Sequence, residues 1–444
     1  ACALGAGGGT VDTNGNSTTV SQAISGSGAL TKLGTGTLTL AAVNTYTGAT
    51  TISAGTLALT GSGSIAASSS LTDNATFDIT GTTSGASIKG LSGSGSVLAA
   101  GKTLTITNSG GTFSGVISGA AANLEVSGGT TTLSGANTYD GSTTIDSGAT
   151  LALSGTGSIA ASSGVADAGT FDISATTSGA SIKSLSGAGV VTLGAQTLTL
   201  SNASGSFSGA IGGTGGLTLT SGSETLSGTN TYTGATNLNG GTLSISSNAN
   251  LGSGALNINN GATLATTATN TYSHNAALTG TASLSAAGGT TATWSGLLSG
   301  TGTLNATGGG TLALTNTSNS YTGGTSVSGG TTLLLTSDSE LGGTSGGLTL
   351  DNGVLKLGAS FNLAGTRAFA LGAGGGTINT NGFGTSVSQA ISGSGGLTKA
   401  GTGTLTLSAA NTYTGTTTIS GGTLTLSGSG SIAASSNVVD NATL

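Results

Sequence analysis

The stretch TLTLAAVNTYTGATTISAGTLAL, from Thr37 to Leu59, decides the fold. Its runs TLTL and TLAL alternate leucine with threonine or alanine, so the leucines share one face of an extended strand. Glycine, serine and asparagine bound each run and supply turns. Leu38 and the matching Leu57 stand 19 residues apart, a step that fits one strand–turn–strand–turn coil of a parallel β-helix.

The pentapeptide NTYTG inside this stretch marks a repeat of about 90 residues. With its near-copies it holds five of the six tyrosines: Tyr46, Tyr139, Tyr232, Tyr321 and Tyr413. A second phrase, of the type VSQAISG or FSGVISG, keeps the same spacing and begins at Val20, Phe113, Phe207, Trp294 and Val387. Two markers with one period predict a solenoid. Tyr272, in NTYSHN, is an off-beat copy of the first marker.

We therefore predict an all-β parallel β-helix (β-solenoid) with about 20 residues per coil and roughly 22 coils, as one continuous domain. Units of about 92 residues span 20–112, 113–206, 207–293 and 294–386, with a partial unit at 387–444. Residues 370–444 repeat residues 3–77, which gives a longer repeat of about 367 residues. At about 4.8 Å per coil, such a stack would be roughly 100 Å long. A propeller would need about 40 residues per blade, and a sandwich would not keep one period along the whole chain.

The composition excludes several classes of protein. The chain has 86 glycines, no proline, no methionine, 5% charged residues and a net charge of −6. A disordered Gly/Ser linker would lack the alternating apolar residues. Seven scattered Lys and Arg residues cannot build a phosphate-binding stripe, so we expect no nucleic-acid partner. No run of about 20 apolar residues is present to span a bilayer. Because the chain starts at Ala1 without a signal-peptide pattern, we expect a processed or excised piece of a longer product.

The markers predict structural roles. Asparagine tolerates the left-handed conformation and glycine needs no Cβ clearance, so NTYTG is expected to form a corner of the coil. Each motif tyrosine is expected to cover its corner with the ring and keep its hydroxyl in water. The alternative is a sugar-binding aromatic row, but rings five coils apart would be separated by roughly 24 Å. The series that begins at Val20 is expected to point into the core, Trp294 included; exposure in a groove would favour a ligand platform instead.

Residues capable of catalysis are scarce. His274 is the only histidine and Cys2 the only cysteine, so no Cys/His metal cluster or histidine triad can be assembled. We expect no catalytic, cofactor-binding or metal site, no cofactor, and no enzyme activity. The acidic phrase SDSELGG (Asp338, Glu340) is interpreted as solvated loop, and DNG at Asp351–Gly353 as a turn.

The remaining charged residues follow the repeat. Asp78 and Asp172 occupy equivalent places in close-copy units, which repetition explains without a catalytic demand. One basic residue recurs per unit, and a solvated coil edge is its expected location: Lys89, Lys183, His274 and Arg367. His274 is expected at an exposed corner, and Cys2 is expected to be an inert terminal thiol.

The segment LTKLGTGTLTLAAVNTYTGATTISAGTLAL, Leu30–Leu59, resembles the autotransporter-associated β-strand repeat of bacterial surface proteins. The match recurs most fully at Leu397–Leu426, and shortened forms lie around Leu133–Leu153, Leu226–Ile245 and Leu314–Leu334. The resemblance implies a right-handed parallel β-helix that serves as a passenger domain, exported in one chain with a C-terminal membrane barrel. It also implies an extracellular location at the bacterial cell surface.

Two classes of function follow from these observations. The first is a structural surface protein, a stiff rod, stalk or filament segment; few charges and no methionine suit an exposed polymer. The second is a binding module, either an adhesin for cell-surface glycans or an ice-binding array, although the Thr-x-Thr runs are irregularly spaced. The expected partners are copies of itself or neighbouring repeats stacked end to end, because exposed coil ends invite another chain and neither terminus resembles a cap.

Overall fold

A computed structural model describes residues 2–108 and 111–442. Within these residues, regular structure is almost entirely β-strand, and the exceptions are two 3₁₀ turns at Asn248–Asn250 and Asp338–Leu341. Short strands follow from the sequence because glycine, serine or asparagine interrupts every apolar run after a few residues. The expected all-β fold with almost no helix is confirmed.

The strands are numbered in chain order. Strands β1 to β14 are Cys2–Leu4, Gly9–Asp12, Thr18–Val20, Ile24–Gly26, Leu30–Leu33, Thr37–Leu40, Thr50–Ile52, Thr56–Gly61, Leu71–Asp73, Thr76–Thr82, Ala86–Ile88, Leu91–Ser92, Ser96–Leu98 and Thr103–Ile106. Strands β15 to β28 are Gly111–Phe113, Val116–Ser118, Asn123–Val126, Thr130–Leu133, Ser142–Ile145, Thr150–Gly155, Gly164–Asp167, Thr170–Thr176, Ala180–Ile182, Leu185–Gly187, Val190–Gly194, Leu198–Leu200, Ser206–Phe207 and Ala210–Gly213. Strands β29 to β41 are Leu217–Leu219, Ser223–Leu226, Thr236–Leu238, Thr242–Ile245, Leu256–Ile258, Thr263–Thr266, Asn270–Tyr272, Ala276–Leu278, Thr281–Ala286, Thr291–Trp294, Leu298–Gly300, Thr303–Thr307 and Thr311–Leu314. Strands β42 to β54 are Thr325–Ser328, Thr332–Leu335, Leu348–Asp351, Gly353–Leu357, Phe369–Leu371, Gly376–Asn379, Thr385–Val387, Ile391–Gly393, Leu397–Ala400, Thr404–Leu407, Thr417–Ile419, Thr423–Leu426 and Val438–Asp440.

The chain divides into two compact units. Unit 1 comprises residues 1–218 and 228–234, and unit 2 comprises residues 219–227 and 235–444. In unit 1 the strands pair in the orders β3-β6-β8-β10-β13-β16, β2-β5-β7-β9-β12, β15-β18-β20-β22-β25-β28 and β11-β14-β17-β19-β21-β24-β27. In unit 2 they pair in the orders β30-β32-β34-β37-β40-β42-β44-β46-β49, β35-β38-β41-β43-β45-β47-β50-β52-β54, β31-β33-β36-β39 and β48-β51-β53.

Neighbouring strands run parallel, and each is paired with a strand about one coil away in sequence. Leu38 faces Leu57, and Leu57 faces Phe77, which are steps of 19 and 20 residues. This spacing is the one that the sequence predicts, and the fold is a parallel β-solenoid of about 22 turns. Parallel pairing requires a long connection between partners, and the rest of each coil provides it.

Alternation places the core inside the coils. In β6 (Thr37–Leu40) the two leucines are fully buried, while the two threonines are only half-buried. Buried leucine, isoleucine, valine and phenylalanine side chains continue inward columns from coil to coil, as Leu38, Leu57 and Phe77 do. Burying apolar area of this kind is the main favourable term for the fold.

The second marker series lies in the core, with one exception. Phe113, Phe207, Trp294 and Val387 are at most 1% exposed, as predicted. Val20 is only half-buried, because β3 is the last strand of its sheet and a coil covers it on one side alone. The rings of Trp294 and the off-beat Tyr272 stack with centroids 6.1 Å apart, an aromatic contact inside unit 2.

Candidate functional site

The NTYTG corners are a regularly repeated polar feature of both units. At the first corner, the asparagine side chain joins three successive coils. Asn44 Oδ1 accepts a hydrogen bond from the amide of Ile24 at 2.9 Å. Its Nδ2 donates to the carbonyls of Ala42 at 3.0 Å and Ser64 at 2.9 Å. Ile24 and Ser64 each lie 20 residues away, one coil back and one coil forward. The side chain therefore fixes the spacing and register of successive coils.

The same bonds recur at the other corners. The asparagine Oδ1 atom accepts from the amide of the preceding coil at 2.8–2.9 Å in Asn137, Asn230, Asn319 and Asn411. None of the motif asparagines has a left-handed backbone, since among the described residues positive φ outside glycine is confined to Asn14, Ala121, Asn352 and Asn381. The prediction of a left-handed asparagine is therefore wrong. Hydrogen bonding by the amide side chain, rather than backbone freedom, accounts for the residue type.

The motif tyrosines are buried, so the prediction of hydroxyls in water is also wrong. All five are at most 1% exposed. The hydroxyl of Tyr46 lies 2.7 Å from Thr50 Oγ1, and Thr50 Oγ1 lies 2.9 Å from Ser68 Oγ. The Ser68 hydroxyl in turn donates to the Gly48 carbonyl. Because threonine and serine satisfy the phenol internally, a tyrosine can sit in the core without water. Burial raises the pKa of Tyr46 to about 12.

This hydroxyl relay is repeated. Tyrosine–threonine bonds of 2.6–2.7 Å occur at Tyr139, Tyr321 and Tyr413. The motif glycine has a separate role, since a Cβ on Gly48 would lie 2.3 Å from the backbone of Gly28 in the preceding coil. Close approach of two backbones therefore requires glycine at this position.

The basic residues that recur once per unit are not simply solvated. Lys89 and Lys183 are half-buried, and their ammonium groups donate to the carbonyls of Ala67 and Ala161 at 3.0 and 2.9 Å. The ring of His274 is half-buried and bonds a carbonyl 22 residues earlier at 2.7 Å. The predicted exposed corner for His274 and the solvated edge for the series are therefore wrong. Each of these side chains instead hydrogen-bonds the coil before it.

The acidic phrase near residue 340 is a buried ion-pair cluster rather than solvated loop. Arg367 is 0% exposed, and its Nε lies 3.0 Å from Asp338 Oδ1. The Arg367 guanidinium also donates to the Gly346 carbonyl at 2.7 Å. Glu340 is buried and accepts from the Ser337 amide at 3.3 Å, which completes a capping box, and from the Thr336 amide at 2.8 Å. Multiple partners compensate the desolvation of these charges.

The sequence analysis missed two buried lysines. Lys32 is 0% exposed, and its ammonium donates to the Thr13 hydroxyl and to the Gly34 and Ala54 carbonyls at 2.7–3.0 Å. Lys399, its counterpart in the longer repeat, has the same type of carbonyl cage. Burial lowers the pKa of Lys32. The available signal was the inward position of lysine in the alternating run LTKL, repeated at 397–400 as LTKA.

The other candidates stay apart from one another. Cys2 is exposed and free. Asp78 and Asp172 each accept a hydrogen bond from the amide two residues on, at 2.8 and 2.9 Å. Asp351 accepts from the Gly374 amide at 2.7 Å, and Asn352 beside it has a φ of 57°, which agrees with the predicted turn.

Residues 2–108 and 111–442 contain no group of three or more His, Cys, Asp and Glu side chains that could hold a metal ion. Over the same residues, no helix is long and apolar enough to cross a membrane.

The fold and its corners define a class of protein: a parallel β-solenoid in which polar side chains at a fixed period pin the coils. Five segments match the passenger-associated-transport-repeat: 30–59, 127–157, 212–245, 304–335 and 397–426. Each matched segment contains one NTYTG-type tyrosine and ends 13 to 18 residues after it. The predicted resemblance is confirmed, and the repeats and the solenoid fit an autotransporter passenger domain. No curated protein and no solved structure matches the chain.

Proposed function

We propose that the chain is a structural element outside the bacterial cell, a stiff stalk or filament segment. The observation that supports this most is the repeated corner, in which asparagine joins consecutive coils and the tyrosine hydroxyl is satisfied internally. Such a corner restricts sliding and opening of the coils, and it uses the polar side-chain atoms of the motif's asparagine and tyrosine inside the protein rather than for a ligand. The passenger-type repeats support an extracellular location.

Stacking of further coils is part of this proposal. Leu426 and Val438, in the last two strands β53 and β54, are 45% and 51% exposed. Their counterparts in the longer repeat, Leu59 and Leu71, are 0% and 1% exposed where a following coil covers them. We propose that another coil, from the same chain or from another copy, covers the exposed pair in the same way.

A second candidate function is glycan binding by an adhesin-type surface. A groove of about 410 Å³ on unit 2 is lined by outward threonines on neighbouring strands, Thr377, Thr398 and Thr418. Hydroxyl groups in register can bond sugar hydroxyls. The groove has no aromatic residue in its lining, and for that reason we place this function second.

A binding assay distinguishes the two functions. The purified chain is applied to an array of bacterial and host glycans, together with the Thr398→Lys variant and a control, Thr293→Lys, on the same sheet outside the groove. The structural function predicts no saturable binding by any of the three proteins. Saturable binding that Thr398→Lys abolishes and Thr293→Lys retains would overturn it in favour of the adhesin.

A further inference from the structure

Two aspartates of unit 1, Asp73 and Asp167, are buried in the interior of the coils. They end the strands β9 (Leu71–Asp73) and β21 (Gly164–Asp167), and both are 0% exposed. In each, Oδ1 accepts a hydrogen bond from the amide two residues on, at 3.1 and 3.0 Å. The other oxygen, Oδ2, is buried and has no hydrogen-bond partner. An ionised carboxylate in this position would keep an unsatisfied, desolvated oxygen, which is costly.

The following coil is what buries each carboxyl group. A Cβ on Gly95 would lie 2.6 Å from Asp73 Oδ1, and one on Gly189 would lie 2.6 Å from Asp167 Oδ1. Asp440 is the counterpart of Asp73 in the longer repeat and accepts the same kind of amide bond, at 3.0 Å. Because β54 is the last strand of its sheet, Asp440 is exposed. The same local structure thus occurs with and without a covering coil.

The strands paired with β9 and β21 bring no charge to these carboxyl groups. Asp73 lies between Ile52 on β7 and the Leu91–Ser92 strand β12, neither of which has a titratable side chain. Asp167 lies between β19 (Ser142–Ile145) and β24 (Leu185–Gly187), which also have none.

The charged groups nearest to these strands in sequence and register flank them or lie further along the column. Lys89 and Lys183 lie two residues before β12 and β24, and their ammonium groups donate hydrogen bonds to backbone carbonyls. Asp146 follows β19 directly and is half-buried. Lys32 faces Ile52 in the same inward column as Asp73, and its ammonium is held in the carbonyl cage.

We propose that Asp73 and Asp167 form an acid-responsive clamp: uptake of one proton by each carboxyl group tightens the coil that covers it, and loss of that proton loosens the coil. The proton comes from solvent and resides on a carboxyl oxygen, so the buried group becomes neutral. No other bond forms or breaks.

The direction of the pH effect follows from the buried state. Burial raises the pKa of both carboxyl groups to about 6; the backbone amides of Ala75 and Phe77 at Asp73, and of Gly169 and Phe171 at Asp167, offset only part of this rise. In the unfolded chain the ordinary value of 3.8 applies. Between these values the folded state holds more protons than the unfolded state, so stability falls as pH rises through this window and is level above it. Acidic residues with ordinary partners show the opposite slope.

The test is the melting temperature of the whole chain between about pH 4 and pH 8. Wild type is compared with D73N/D167N and with the matched control D78N/D172N, whose aspartates make the same amide contact outside the core. We expect the wild-type melting temperature to fall by several degrees as pH rises from about 4 to about 7. D73N/D167N should lose most of this fall, and D78N/D172N should keep it.

A second measurement covers the case in which D73N/D167N does not fold. Infrared spectra of the wild type should show the carbonyl stretch of protonated carboxylic acid at about pH 5, fading as pH approaches about 7. A wild-type melting temperature that is constant or rises over this window would overturn the proposal. So would an unchanged slope in D73N/D167N, or no protonated-carboxyl signal at about pH 5.

Discussion

Replacing Asn137 by alanine tests the role of the NTYTG corner most locally. Asn137 Oδ1 is the acceptor for the buried amide of Ile117 at 2.9 Å, and its Nδ2 donates to the carbonyls of Gly135 and Ser158 at 3.0 and 3.1 Å. The Ser158 carbonyl also accepts from the Asn137 backbone amide at 2.9 Å, so alanine would not leave it without a partner. The main loss is therefore one buried N–H without an acceptor.

The expected magnitude follows from that loss. A buried donor without a partner costs about 1–3 kcal/mol, and the small void left by the side chain adds to it. We therefore expect N137A to lower the free energy of unfolding by about 2–4 kcal/mol. The control N202A changes an exposed asparagine in the same unit and should stay within about 0.5 kcal/mol of wild type.

Hydrogen exchange is the most suitable assay, because a repeat protein need not unfold in one cooperative step. The amide of Ile117 should exchange at least tenfold faster in N137A than in wild type, a change that corresponds to about 1.4 kcal/mol. Amides of distant coils should exchange as before. Unchanged protection of Ile117, with unfolding free energy within about 0.5 kcal/mol of wild type, would refute the argument that the asparagine pins the coils.

Three further substitutions test separate contacts by chemical denaturation. Tyr139→Phe removes one hydroxyl from the buried relay and should cost about 1 kcal/mol, and an effect indistinguishable from zero would show that the relay is dispensable. Lys32→Met leaves the caged carbonyls without their ammonium donor and should lower the free energy of unfolding by about 1–3 kcal/mol. The control Lys183→Met removes a lysine that makes one carbonyl bond and should cost less; equal losses of stability in the two variants would count against the cage. Gly141→Ala would place a Cβ 2.3 Å from a backbone oxygen and should cost more than about 1 kcal/mol, whereas Gly288→Ala meets nothing within 4 Å and should be near neutral.

The fold could be predicted from the sequence because it rests on local periodicity. The run TLTL at Thr37–Leu40 shows which residues point inward, and the 19-residue step to Leu57 shows which strand lies next. Both facts depend only on residues close in sequence. Inward placement of Phe113 and Phe207 followed from the same alternation and is confirmed.

The polar contacts could not be predicted in the same way. The Asn44 partners in the neighbouring coils, Ile24 and Ser64, lie 20 residues away in each direction, and the partners of the Arg367 guanidinium lie more than 20 residues back. Which residues become the hydrogen-bond partners depends on the register between coils and on which turn residues come close to the side chain. Composition specifies neither of these. The rule that charged side chains are exposed also fails at Lys32 and Asp73, because backbone carbonyls and glycine-lined space accommodate them inside.

Electron microscopy of the native material tests the proposed structural role most directly. A stiff stalk or filament built of stacked coils predicts straight segments of uniform width, with an axial repeat of about 4.8 Å from the parallel strands. Globular particles, or thin chains that bend freely between short segments, would contradict the proposal that the chain serves as a stiff extracellular element.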